Sequence, residues 1–124
     1  MKRYLSQEQL NSLDQLQKET LLKTFTFEPG DFFLHPDHLG VQVVPEEDSM
    51  TNPEYLQEGQ LLPSLAQVLD FINLNYPGHW KAVRTVNRLW YMRIGDFHTR
   101  LHEELIDTAF DAVVYLLKLE NEDK

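Results

Sequence analysis

The sequence predicts an α+β fold in which three helices pack on a small antiparallel sheet built from two hairpins. Three segments repeat apolar residues at helical spacing, and two segments alternate apolar and polar residues as strands do. They follow in the order helix, hairpin, loop, helix, hairpin, helix. Because the chain has 124 residues and no linker-like stretch, we expect a single domain over residues 1–124.

The first predicted helix covers residues 6–25. Ser6 and Gln9 have the spacing of a capping box, in which each side chain satisfies a backbone N–H of the first turn. Leucines then recur every three to five positions as far as Phe25, which gives the helix one apolar face. Pro29 and Gly30 follow and end any helix.

The next two segments are a hairpin and a loop. Residues 31–44 contain two runs of strand formers around a turn at Pro36, and Gln42 separates two valines as in a strand with one wet face. Residues 45–61 mix proline, glycine, asparagine and acids without a period, which predicts an acidic surface loop. Loops of this length in compact domains are usually functional or mobile.

The second half of the chain repeats the pattern. A helix over residues 62–73 opens with Pro63 and Ser64, since proline is tolerated in a first turn. Residues 80–97 read as a hairpin whose second strand alternates well, and residues 99–119 carry a broad apolar stripe typical of a core-facing helix.

Composition excludes several classes of function. The absence of cysteine excludes disulfides, thiolate metal sites and a cysteine nucleophile. A net charge of −9 argues against general attraction to nucleic acid or to anionic membranes. The first residues lack the apolar run of a secretory signal, and no apolar segment approaches the length of a membrane span. We therefore expect a cytoplasmic protein with no membrane partner.

Charge is unevenly distributed along the chain. No lysine or arginine lies between Lys23 and Lys81, an interval that holds nine acids. The segment from Lys81 to Arg100 contains five basic residues and only one acid, Asp96. Such asymmetry shapes the electrostatic field of a small domain and therefore its partners. One interpretation of the acidic interval is mimicry of nucleic-acid phosphate; the simpler one is a solvated loop.

The histidines are the first candidates for metal ligands. His98 and His102 lie four apart at the predicted start of the last helix, which places them on one helical face, and Glu103 is adjacent. Neutral imidazoles at this spacing chelate divalent cations, and a carboxylate completes an open site. His35 and His38 bracket the turn of the first hairpin and join the set if the hairpins converge. A metal-dependent enzyme is therefore one alternative, although histidines are also common at strand ends and helix starts.

Nucleic-acid binding is a second alternative. The basic residues of the Lys81–Arg100 segment are interleaved with aromatic ones, and such a sheet surface holds single strands by phosphate contact and stacking. The strand alternation counts against it, because it turns Trp90, Met92 and Ile94 toward the core.

Two resemblances bear on these predictions. Residues 27–36 and 40–44 resemble the opening of Tudor-like and polymerase-binding barrels, which implies a hairpin there. The helix at residues 62–72, the aromatic strands, the turn at Gly95 and the part of the closing helix at residues 105–110 are similar to small uncharacterised proteins of bacterial phages and mobile elements. That likeness spans about half the chain and implies an order of elements without an assigned chemistry.

The sequence shows no catalytic motif, so we favour a binding or adaptor protein that acts through protein–protein interaction. No cofactor is expected. Loops on rigid scaffolds commonly carry recognition. Homodimerisation is a further alternative, and positions on the last helix such as Val114 and Tyr115 could contribute to the dimer contact. The candidate binding residues come from the acidic loop and the basic segment: Met50, Tyr55, Leu56, Arg84, Arg88 and Arg93.

Overall fold

The computed structural model describes residues 2–25, 30–34, 40–43, 60–76 and 78–122. These residues form helices and short antiparallel strands, which confirms the α+β class. The described elements, in chain order, are α1 Gln7–Asn11, α2 Gln15–Leu22, β1 Phe32–Leu34, β2 Gln42–Val43, β3 Gln60–Leu62, α3 Leu65–Asn75, β4 Trp80–Arg84, β5 Trp90–Ile94, β6 Phe97–His98 and α4 Leu105–Glu122.

The strands form two sheets where the sequence predicted one. The first sheet has the order β2-β1-β3 and the second sheet the order β4-β5-β6, all antiparallel. The third strand of the first sheet comes from the end of the predicted acidic loop. It forms because Leu61 and Leu62 are buried and lie opposite Phe33 and Phe32 of β1.

The predicted helix over residues 6–25 is two helices, so that four helices are described instead of three. The capping box of Ser6 and Gln9 is present at the start of α1. Asp14 then caps α2, and its carboxylate accepts a hydrogen bond from the Gln17 backbone N–H at 2.7 Å. The chain turns between the two helices, which places Leu13 in the core.

The last helix begins six residues later than predicted. Residues 99–102 continue alongside β5 instead: the Thr99 N–H donates to Met92 O at 3.0 Å, and the His102 N–H donates to Trp90 O at 3.0 Å. Their backbone groups are therefore committed to the second sheet before α4 starts at Leu105. The helix predicted over residues 62–73 is present as α3, capped by Ser64 and Gln67.

One hydrophobic core joins the two sheets and the helices. It contains Phe71 of α3, Met92 and Ile94 of β5, and Val113 of α4, all at most 1% exposed. The N-terminal segment is attached to it, because Leu5 is buried and its N–H donates to Pro63 O at 2.8 Å. No helix in the described part of the chain has both the length and the apolar character needed to cross a membrane.

Candidate binding surface

The second sheet has a covered inner face and an open outer face. Alternation along β5 turns Met92 and Ile94 inward, where α4 packs on them. Directly paired residues share a face, so the register assigns the outer one. Its described side chains are Lys81, Val83, Tyr91, Arg93 and His98.

Three basic side chains form a row across this outer face. Lys81 of β4 lies opposite Arg93 of β5, and Arg93 lies opposite His98 of β6. All three are exposed. We call Lys81, Arg93 and His98 the basic row. Like charges directly opposite one another destabilise a sheet, so the pair of Lys81 and Arg93 lowers stability unless an anion lies against it.

Nothing in the described residues neutralises the basic row. Neither Lys81 nor Arg93 has a carboxylate within salt-bridge distance among them, and Arg93 Nε donates only to Gly95 O at 3.3 Å. Lys2 and Arg100, by contrast, bind Asp107 and Asp111. The row is thus a local positive surface on a protein whose net charge is −9.

An aromatic and an aliphatic side chain lie beside the basic row. Val83 and Tyr91 form the next cross-strand pair on the outer face, both half-buried. The Tyr91 and His98 ring centroids are 6.1 Å apart. A cavity of about 330 Å³ opens at the other side of the row, lined by His79, Trp80, Lys81, Arg93 and Gly95. The face therefore combines charge with apolar area, as protein recognition surfaces do.

The three arginines predicted as binding residues do not share one surface. Arg93 belongs to the basic row. Arg84 pairs with Trp90 on the inner side of the sheet, and its guanidinium carbon lies 5.6 Å from the Trp90 ring centroid. Arg88 lies in the turn between β4 and β5. Met50, Tyr55 and Leu56, the predicted loop residues, lie outside the described residues.

Arg88 has a left-handed backbone with φ of 63°. A side chain there costs free energy that glycine avoids. We expect Arg88→Gly to raise the free energy of unfolding by up to about 1 kcal/mol. Arg88→Ala removes the same charge but keeps the strained φ, so it should bring no such gain. Urea denaturation of both variants tests this; equal effects would show that charge, not backbone strain, governs the position.

The expectation that His98 and His102 share a helical face is wrong. Neither is helical: His98 belongs to β6, and His102 forms an isolated antiparallel bridge with Trp90. Thr99 pairs with Met92, so two residues, 100 and 101, oppose Tyr91 alone, which is a β-bulge. The extra residue turns His102 to the inner face, while His98 stays on the outer face.

The two histidines therefore cannot share a metal ion with Glu103 in the way predicted. Glu103 is exposed in the chain between the bridge and α4. Among the described residues, no group of three or more histidine, cysteine, aspartate or glutamate side chains is arranged to hold a metal ion. His35 and His38 lie outside the described residues.

His102 instead completes a cluster that sequence reasoning missed. Its Nε2 lies 2.7 Å from Asp111 Oδ2 of α4, and Arg100 donates to both oxygens of Asp111 at 3.1 and 3.2 Å. Partial burial raises the pKa of Asp111, but the hydrogen bonds and charges of Arg100 and His102 outweigh it and hold the pKa below 3.8.

The Asp111 cluster borders a cleft of about 540 Å³ between the N-terminal segment and α4. Lys2 Nζ reaches Asp107 at 2.6 Å and Gln9 at 2.8 Å on the same side. The charges of this cleft are therefore largely paired within the protein, which suits a contact that holds the N-terminal segment on α4. The basic row lacks such pairing and is the better candidate for a functional site.

The positions proposed for a homodimer on α4 are already occupied in part. Tyr115 stacks on Phe97 with ring centroids 4.0 Å apart and planes 3° from parallel. Val114 is half-buried against the core.

No family model, curated protein or solved structure matches the chain.

Proposed function

We propose that this protein is a small cytoplasmic binding protein that recognises an acidic partner protein through the outer face of the second sheet. The observation that carries the proposal is the basic row, in which Lys81, Arg93 and His98 lie side by side without a carboxylate from the described residues. A partner that supplies carboxylates there removes the repulsion within the row and gains charge-assisted hydrogen bonds.

A protein partner fits this face better than a nucleic acid. Proteins that hold single strands stack successive bases on several aromatic rings. Among the described residues, the outer face presents one large aromatic ring, Tyr91, beside the smaller imidazole of His98, because Trp90 and Phe97 lie on the inner side. The net charge of −9 also repels a polyanion at long range, whereas a short acidic segment meets only the local field.

The test is the binding of an acidic peptide to a row variant. We expect Lys81→Gln/Arg93→Gln to weaken binding of a fluorescein-labelled glutamate-rich peptide by about threefold to tenfold, since each lost exposed charged contact contributes up to about 1 kcal/mol. Arg3→Gln/Lys23→Gln changes the net charge equally at two exposed positions and should leave the affinity nearly unchanged. Fluorescence anisotropy at fixed salt measures both.

Two results would contradict the proposal. Equal affinities of the row variant and the control would show that the row is not the binding site. Tighter binding of a single-stranded oligonucleotide of equal charge, lost on Tyr91→Ala, would favour nucleic-acid binding instead. The row variant should also be slightly more stable than the wild type, because the two opposed charges are gone.

A further inference from the structure

Among the described residues, the outer edge of β4 has no partner strand. In the second sheet β4 pairs with β5 alone, and the described residues place no strand on its other side. Thr85 N donates to Leu89 O at 2.8 Å, which sets the hydrogen-bonding phase of the hairpin. Odd-numbered residues of β4 therefore direct their backbone groups to β5. The residues whose N–H and C=O groups point to the open edge are Trp80, Ala82 and Arg84.

The β6 side of the sheet supports this phase independently. Trp90 and His102 exchange hydrogen bonds in both directions, at 2.6 and 3.0 Å. Trp90 and, two residues on, Met92 thus direct their backbone groups away from β4. The intervening Tyr91 directs its groups toward β4. The open edge consequently presents an alternating series of donors and acceptors that no described residue satisfies, which is a template for one more strand.

The side chains of β4 define the strand that fits. A strand added outside β4 places one residue directly opposite Lys81, which extends the basic row to a fourth position. Because the backbone groups of Lys81 point to β5, this new pair is of the non-hydrogen-bonded kind, in which side chains approach most closely. An aspartate or glutamate there meets Lys81, and the row behind it favours negative charge.

We propose that the partner binds as an extended acidic segment that adds a strand to the free edge of β4, with a carboxylate opposite Lys81. This inference rests on the proposed function, since it names the form in which the acidic partner is held. β4 has five residues, so the paired part of the segment spans about 16 Å. The cavity beside Trp80 and Gly95 lies at one end of the edge and offers room for a further side chain.

A second copy of this chain suits the edge less well than an acidic segment. Pairing two β4 edges brings the exposed Lys81 and Arg84 of both copies together, and like charges near one another oppose it. A nucleic acid lacks the regular peptide donors and acceptors that continue a sheet. Of these three occupants, an extended acidic peptide of another protein fits the edge best.

The test compares two peptides of equal composition. One alternates glutamate and valine over seven residues, which places its acids on one face of a strand; its isomer has the same residues in blocks. We expect the alternating peptide to bind the wild type at least about fivefold tighter than its isomer. Proline at position 82 removes an edge N–H but no bond to β5, so Ala82→Pro should abolish this preference. Calorimetry measures the affinities, and circular dichroism checks that the variant is folded.

A second pair of variants covers the case in which Ala82→Pro does not fold. Arg84→Pro and Arg84→Ala remove the same exposed side chain, but only the proline removes the edge N–H. The alternating peptide should bind Arg84→Pro at least about threefold more weakly than Arg84→Ala. In the wild type, binding should also slow hydrogen exchange of the Ala82 amide.

The outcomes separate this inference from the proposed function. Suppose the proline variants bind like the wild type while Lys81→Gln/Arg93→Gln binds more weakly. That result would overturn the strand addition, but the proposed binding of an acidic partner would stand. Affinities that respond neither to the edge nor to the row would overturn both. A concentration-dependent dimer that is lost in the proline variants would overturn the acidic segment in favour of a second copy.

Discussion

Replacing Phe71 by alanine should destabilise the protein by about 3–5 kcal/mol, because it removes a large aromatic side chain from the core. Phe71 of α3 is 1% exposed and belongs to the hydrophobic core. Its removal loses the transfer free energy of the ring and leaves a cavity that packed neighbours fill only in part. Because small domains are stable by about 5–15 kcal/mol, this loss is a large fraction of the total.

Leu74→Ala on the same helix is the matched control. Leu74 is 70% exposed, so its truncation should change stability by less than about 0.5 kcal/mol. Both variants introduce alanine, the residue with the highest helix propensity, into α3. A change in helix propensity therefore does not explain a larger loss of stability in Phe71→Ala. Urea denaturation followed by circular dichroism gives the two free energies. A cost below about 1 kcal/mol for Phe71→Ala would contradict the packing of α3 on the core.

Asp111→Ala should cost about 1–3 kcal/mol at neutral pH, because it leaves the half-buried His102 without its hydrogen-bond partner on α4. The matched control is Asp70→Ala, which removes the same side chain from an exposed position on α3 and should be nearly neutral. The two variants differ in what the carboxylate touches and not in net charge.

The cost of Asp111→Ala should depend on pH in one direction. The pKa of Asp111 lies below 3.8 in the folded protein, so the unfolded chain takes up this proton first as pH falls. The stabilisation is fully present above 3.8 and is lost as pH falls through the folded-state pKa. Unfolding free energies of wild type and variant should therefore converge in strong acid and differ most near neutrality. If the difference in unfolding free energy between wild type and Asp111→Ala instead grew as the pH fell, the ionised carboxylate would not be the stabilising form of Asp111.

Local sequence patterns predicted the start of α1 but not the starts of the later helices. The capping box at Ser6 spans four residues and its hydrogen bonds form within one turn, so the sequence contains all the information it needs. The capping box at Ser64 was not predicted, and α3 begins three residues after the predicted start at residue 62. The break before Asp14 was missed although Asp14 and Gln17 have the same pattern, since leucines continue at helical spacing across it. The α+β class followed because periodicity reports which faces are buried.

The candidate site depended on information that is not local. The row requires the register of two successive turns, which pairs Lys81 with Arg93 and Arg93 with His98. Interleaved basic and aromatic residues indicated the segment, but they did not show which side chains share a face. The placement of His102 depends on a single extra residue, and a shift of one residue exchanges the faces of a strand. The pairing of β3 with β1 likewise joins distant segments.

The contact between Lys2 and Asp107 also has a consequence for the order in which the chain acquires structure. The two residues are 105 positions apart, and α4 covers the inner side of β5. Met92 and Ile94 are exposed to water in any state in which the helix beginning at Leu105 has not yet packed on them. Long-range contacts of this kind slow folding, because distant segments must meet first. The second sheet therefore depends on the last helix to cover its apolar face and protect it from aggregation.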